Sequence, residues 1–298
     1  PCLCASVVKF RNPKSETSHH PPSVIYPAMS LRHLRPHLLL SAFALTVAAV
    51  PLHAQRSASD YIDRGNTKAA RGDFVGAIDD YDMAIEMNVQ GAEVFYDRGT
   101  AKEGRGDHRG AVMDYNRAIE IDPKLTKAFN NRGLAKTAQD DLEGAIADFS
   151  QAIALDPNYA AAYYNRGRAK KTMDQLDAAI ADYDRAIALK SDFSLAYINR
   201  GVAKEAGEHH DEAIADYDQA IKLDPKFAPA FFNRGVAKEA KGDLAAAIAD
   251  YTQATGIDPN YLSAYKKLVT TQRKAGNEPA AQAAEAAVTR LSAPKTKK

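Results

Sequence analysis

The sequence predicts an all-α solenoid in which a two-helix unit recurs every 34 residues. Three observations carry that prediction. Arg-Gly falls in register at Arg64-Gly65, Arg98-Gly99, Arg132-Gly133, Arg166-Gly167, Arg200-Gly201 and Arg234-Gly235. A second set of marks keeps the same step: an aromatic at Tyr81, Tyr115, Phe149, Tyr183, Tyr217 and Tyr251, then Ala84, Ala118, Ala152, Ala186, Ala220 and Ala254. Asp-Pro closes the unit at Asp122-Pro123, Asp156-Pro157, Asp224-Pro225 and Asp258-Pro259. Chance does not give six copies in register, so the repeat and not the length of 298 residues sets the organisation.

Six full units occupy residues 58–91, 92–125, 126–159, 160–193, 194–227 and 228–261. With each unit numbered from 1 to 34, positions 4, 8 and 11 share one face of a first helix, and positions 20, 24 and 27 share one face of a second. Gly at 8 and Ala at 20 are small, so the two helices can approach closely. Aromatics at 4 and 24 fill the space around that contact. Gly72-Asp73, Gly106-Asp107 and Gly242-Asp243 mark the turn between helices, Gly as stop and Asp as cap. Asp-Pro ends the second helix, because Pro disfavours the helical region at the residue before it. One unit cannot bury its apolar face alone, so the units stack. Residues 262–291 keep Tyr265 at position 4 and Gly276 at the turn but lose the other marks, as expected of a degenerate seventh repeat acting as a cap. Residues 292–298 read as a disordered basic tail.

Upstream of the repeats, Met29 begins a segment with Arg32 and Arg35, an apolar run from Leu38 to Val50, and Pro51-Leu52-His53-Ala54. That order resembles a secretory signal peptide over residues 29–54. Thirteen apolar residues fall short of the roughly 20 that a membrane-spanning helix needs. The expectation is therefore a cleaved signal and a periplasmic or secreted protein. A cytoplasmic protein with a misplaced start is the alternative. Residues 1–28 read as an upstream or disordered extension; they hold both cysteines, Cys2 and Cys4, whose C-x-C spacing is a weak metal signal.

Overall charge is +1, and the basic residues Lys9, Arg11, Lys14, Arg32 and Arg35 leave the remainder mildly acidic. This excludes the clustered Lys/Arg of a nucleic-acid binder. No Gly-rich phosphate loop, nucleophile motif or metal cluster is present, so neither enzyme activity nor a cofactor is expected. His108 and His210 sit at position 17, where other repeats carry Phe74, Leu142, Leu176 and Leu244. They read as packing residues rather than zinc ligands.

The marks resemble the tetratricopeptide-repeat (TPR) family, whose pattern sets an aromatic at 4, Gly at 8, Ala at 20, an aromatic at 24, Ala at 27 and Pro at 32. The resemblance covers residues 58–261 and points to a bacterial, exported member. It implies a right-handed superhelix whose first helices line a concave groove, and a role in binding a protein or peptide segment. Two departures are uniform: position 7 is Arg instead of Leu, and position 11 is Lys instead of Tyr. Repeat 1 ends Asn88-Val89 and repeat 4 ends Lys190-Ser191, without Pro.

Position 23 is Asp in every repeat, from Asp80 to Asp250. Arg at 7, Lys at 11 and Asp at 23 are expected to pair between packed helices, because a half-buried charge needs a partner. Binding is expected at the concave positions 2, 5, 6, 9, 12 and 13, which the resemblance supplies. Position 6 reads Asp63, Asp97, Asn131, Asn165, Asn199 and Asn233, an amide ladder able to pair with a peptide backbone. Beside it, position 5 offers anchors in Tyr96, Asn130, Tyr164, Ile198 and Phe232. Lys127, Arg168 and Lys171 add a basic spot in mid-groove. The alternative is a self-assembling scaffold of the cell envelope without a peptide ligand. A membrane contact is expected only through an uncleaved signal, and the oligomeric state is left open.

Overall fold

The computed structural model describes residues 57–293. The extension 1–28, the signal segment 29–54 and the residues from 294 lie outside the described residues. Fourteen helices follow one another among the described residues, joined by turns: α1 (Ala58–Ala70), α2 (Phe74–Glu86), α3 (Ala92–Gly104), α4 (His108–Ile121), α5 (Thr126–Ala138), α6 (Leu142–Leu155), α7 (Ala160–Thr172), α8 (Leu176–Leu189), α9 (Ser194–Ala206), α10 (His210–Leu223), α11 (Ala228–Ala240), α12 (Leu244–Ile257), α13 (Leu262–Lys274) and α14 (Glu278–Ser292). Each expected repeat is one helical hairpin, and α13–α14 form the seventh. Helix α14 runs through Ser292, one residue into the span read as tail.

The turns inside the repeats follow their sequences. Gly72, Gly106, Gly242 and Gly276 stand at φ between 76° and 84°, the left-handed region that Gly enters without strain. Asp73, Asp107, Asp141 and Asp243 then accept the N–H three residues on and cap the second helix. Repeats 3, 4 and 5 reach the same backbone without Gly, through Asp140, Asp174 and Glu208 at φ 63°, 60° and 63°. Asp122, Asp156, Asp224 and Asp258 end the second helices in extended conformation. Lys190 does the same at φ −142°, although no Pro follows. Repeat 1 alone closes on a left-handed Asn88.

The core is a close contact of small residues. Ala77, Ala111, Ala145, Ala179, Ala213 and Ala247 are wholly buried, as are the rings at position 24. A Cβ on Gly133 would stand 2.6 Å from the Phe149 ring, and one on Gly167 would stand 2.8 Å from the Tyr183 ring. Gly at position 8 is thus required by the aromatic packed against it. Burying such a ring contributes about 2 kcal/mol per repeat.

The expected ion pairing is present in all six repeats. Asp80, Asp114, Asp148, Asp182, Asp216 and Asp250 are buried and bound by their own repeat's Arg and Lys; Arg132 reaches Asp148 at 2.6 Å and Lys136 reaches it at 2.8 Å. The same arginines also look backwards. Nη1 of Arg98, Arg200 and Arg234 binds Asp82, Asp184 and Asp218 of the preceding repeat at 2.5–2.6 Å. Arg132 instead reaches Asn116 at 2.7 Å, and Arg166 reaches Ser150 at 3.0 Å. Each guanidinium further lies 5.0–5.6 Å from the ring at position 4. Arg at position 7, where the family has Leu, therefore fixes both the hairpin and its stacking.

Candidate functional site

The helices of a repeat pack on each other and on the next repeat. First helices also touch in succession, from α1 with α3 to α9 with α11, whereas second helices do not approach one another to the same extent. The first helices thus form the inner, concave layer, and positions 2, 5, 6, 9, 12 and 13 lie along it.

The amide ladder is largely committed inside the chain. Asn131 donates to the Tyr96 hydroxyl at 3.0 Å, Asn165 donates to Asn130 at 3.0 Å, and Asn199 donates to the Tyr164 hydroxyl at 3.1 Å. Each bond joins position 6 to position 5 of the preceding repeat. Asn130 passes the chain on to Asn131 at 3.1 Å. Asn199 also donates to the Leu195 carbonyl at 2.9 Å and accepts from Lys171 at 3.1 Å. The sequence reading expected these amides to face a peptide. Asn130 and Asn165 are instead buried. Ile198, expected as an anchor, is buried against Ala220 and Ala230. The reason is local: a donor at position 6 lies over position 5 of the preceding repeat, and binds it wherever that residue is polar. Asn233 lies opposite Ile198 and makes no side-chain hydrogen bond among the described residues.

Asp63 is exposed at the N-terminal end. Asp97 is half-buried, and burial raises its carboxyl above the usual range. Lys127 is neutralised: it bonds Glu93 at 2.6 Å and lies 4.2 Å from the Tyr96 ring centre. The basic spot therefore reduces to Arg168 and Lys171, which bind no carboxylate among the described residues. Arg168 is exposed, with its guanidinium 5.8 Å from the Tyr164 ring. Lys171 is half-buried, and burial together with Arg168 lowers its pKa. Tyr164 packs on Phe193 at 4.7 Å and on Tyr183 at 6.0 Å.

A second basic region lies on the seventh repeat, which its sequence marks identify only as a cap. Lys266, Lys267 and Lys274 of α13 border an open cavity of about 510 Å³, walled by Phe232 and Glu239 of α11. Phe232 stacks near Tyr251 and Tyr261, at 5.8 and 5.1 Å. Burial opposes ionisation of Glu239, but bonds from Lys274, Lys267 and Tyr251 outweigh it and hold its pKa at about 2. Lys266 has no acidic partner among the described residues. The signal was available: three lysines stand at positions 5, 6 and 13 of the seventh repeat.

His108 and His210 lie 2.8 and 3.0 Å from Glu103 and Glu205. Among the described residues, no group of three or more His, Cys, Asp or Glu is arranged to hold a metal. Among them, too, no helix is long and apolar enough to cross a membrane.

A tetratricopeptide-repeat model matches residues 92–125, 160–193 and 228–261, and a TPR-repeat model matches residues 134–174 and 206–242. No curated protein sequence matches the chain. The crystal structure of MamA is similar at 30% identity and a TM-score of 0.52, over 54% of this chain and 94% of that one. YrrB is similar at 22% identity and a TM-score of 0.53, over 62% and 95%. A tetratricopeptide repeat protein from Parabacteroides merdae shares the fold at 17% identity and a TM-score of 0.63, over 80% and 94%. The repeat marks, the helical hairpins and these matches agree: the chain belongs to the tetratricopeptide-repeat family.

Proposed function

We propose that the chain is a non-enzymatic adaptor whose concave face holds a segment of another protein. One observation supports this reading above the others. Positions 7, 11 and 23 are identical in all six repeats and bind one another, whereas concave positions differ between repeats and leave polar groups uncommitted among the described residues at Asn233, Arg168 and Lys266, with Lys171 bound only to a neutral amide. A surface that serves stacking alone has no cause to vary in this way. Photo-crosslinking tests the reading. A benzophenone side chain placed at Asn233 should capture a partner protein in the native envelope fraction, and one at the exposed Ala181 of α8 should not. Equal capture from both positions would overturn it.

The scaffold alternative has its own support. Val75 and Met83 of α2 and Met87 at its C-terminal cap are exposed, and Met113 is 67% exposed on α4. Light scattering on residues 55–298 distinguishes the two, since a strict monomer has no self-assembly. Residues 29–54 support export to the periplasm or beyond, and N-terminal sequencing of the mature product tests that.

A further inference from the structure

The ring at position 24 reaches the concave face with its hydroxyl, and three of the six repeats supply an acceptor there. Tyr81 donates to Asn66 at 2.7 Å, and Tyr115 to Thr100 at 3.4 Å, both at position 9. Tyr251 donates to Glu239 of position 12 at 2.9 Å. Repeat 3 removes the need, setting Phe149 against a Leu134. Repeats 4 and 5 supply none: the Tyr217 hydroxyl makes no hydrogen bond among the described residues, and in repeat 4 the unpaired hydroxyl is itself buried. Tyr183 is fully buried and its hydroxyl has no partner among the described residues. Positions 9 and 12 of that repeat are Arg168 and Lys171, which can only donate.

Three donors therefore gather around Tyr164 without an anion among the described residues. Arg168 and Tyr183 both lie against the Tyr164 ring, and Lys171 is tied to the same ring's hydroxyl through Asn199. A half-buried ammonium without a counter-ion costs free energy, as does a buried hydroxyl without an acceptor. A carboxylate offers two oxygens and about four acceptor sites, and it matches the guanidinium fork in geometry. Elsewhere Lys127 already holds Glu93, and Lys267 and Lys274 share Glu239; the exposed Lys266 has no carboxylate among the described residues, but no buried unpaired hydroxyl lines its cavity either.

We infer that repeat 4 carries a carboxylate-binding subsite, formed by Arg168, Lys171 and Tyr183, that takes an aspartate or glutamate side chain from an acidic segment of the partner protein. This rests on the concave-face reading and names the chemistry of the segment held there. Arg168 and Lys171 would close on the carboxylate from flexible stems, while the Tyr164 and Phe193 rings carry the aliphatic part of the acidic side chain.

Fluorescence anisotropy with the full chain tests the subsite, using a labelled peptide of alternating Glu and Ala and its Gln/Ala counterpart. The Glu peptide should bind and the Gln peptide should not. Arg168→Gln with Lys171→Gln should weaken the Glu peptide by about tenfold or more. Tyr183→Phe should weaken it without lowering the thermal midpoint, since no internal hydrogen bond is lost. Lys222→Gln with Lys226→Gln, two exposed lysines at the end of α10 and in the turn after it, should leave the affinity unchanged. Equal binding of the Gln peptide, or a loss that follows the Lys222/Lys226 pair as strongly, would overturn the subsite. If crosslinking at Asn233 succeeds while these variants have no effect, the subsite falls and the concave-face reading stands. Failure of both removes both.

Discussion

Asn165 donates to Asn130 across a repeat boundary at 3.0 Å, and both side chains are buried. Truncating either leaves the other amide desolvated and short of a partner. Asn130→Ala and Asn165→Ala should each cost about 1–3 kcal/mol. The double replacement should cost clearly less than their sum. Urea denaturation of the four proteins measures the difference, and strict additivity would show that the bond carries no coupling.

Ser150 is a weak link between repeats 3 and 4, because Arg166 finds a hydroxyl where Arg98, Arg200 and Arg234 find a carboxylate. Ser150→Asp should raise the thermal midpoint at low salt. The gain should stay below about 1 kcal/mol, since such pairs are partly exposed, and it should fade at high salt. Arg166→Ala acts in the opposite direction: it leaves the buried Asp182 to Lys170 alone and should cost about 2 kcal/mol.

Glu208 holds a left-handed backbone at φ 63° that four other repeats give to Gly. The Cβ of an L-residue is crowded there. Glu208→Gly should stabilise the array by about 1 kcal/mol, less the added freedom of the unfolded chain. Differential scanning calorimetry reads the shift, and a lower midpoint would contradict the strain.

The Glu239 carboxyl titrates at about 2 in the fold, against 4.5 ordinarily. Its folded pKa is depressed, so its contribution is complete above about 4.5 and is lost as pH falls toward 2. Glu239→Gln should therefore destabilise the array at pH 6, and its deficit against wild type should shrink steadily over that acid range. A deficit independent of pH would show that Lys267 and Lys274 do not hold the carboxylate.

The scaffold was legible because its rules are local and recur: Gly at 8 opposite a ring at 24, Asp at the cap, and Asp at 23 opposite Arg and Lys. The concave face was less so. Lys190 ends its helix as the Asp-Pro repeats do, and Asp140, Asp174 and Glu208 turn as the glycines do, because stacking imposes a backbone that local propensity does not select. The commitment of Asn131, Asn165 and Asn199 depends on the residue 35 positions earlier. That pairing is visible in the sequence only once position 6 is known to lie over position 5 of its neighbour. Lys266, Lys267 and Lys274 occupy concave positions 5, 6 and 13 of the seventh repeat, but none of the six full repeats carries Lys there, so the recurring marks do not point to them.

The backward reach of the arginines makes the junctions unequal. Ion pairs cross from repeat 1 to 2, 2 to 3, 4 to 5, 5 to 6 and 6 to 7. None crosses from repeat 3 to 4 among the described residues, where Asn165–Asn130 and Arg166–Ser150 serve instead. Units that couple only to their neighbours behave as links in series. Rising ionic strength screens the ion pairs at every junction but this one, so the relative strength of the junctions, and with it the place where the array first parts, moves with the medium.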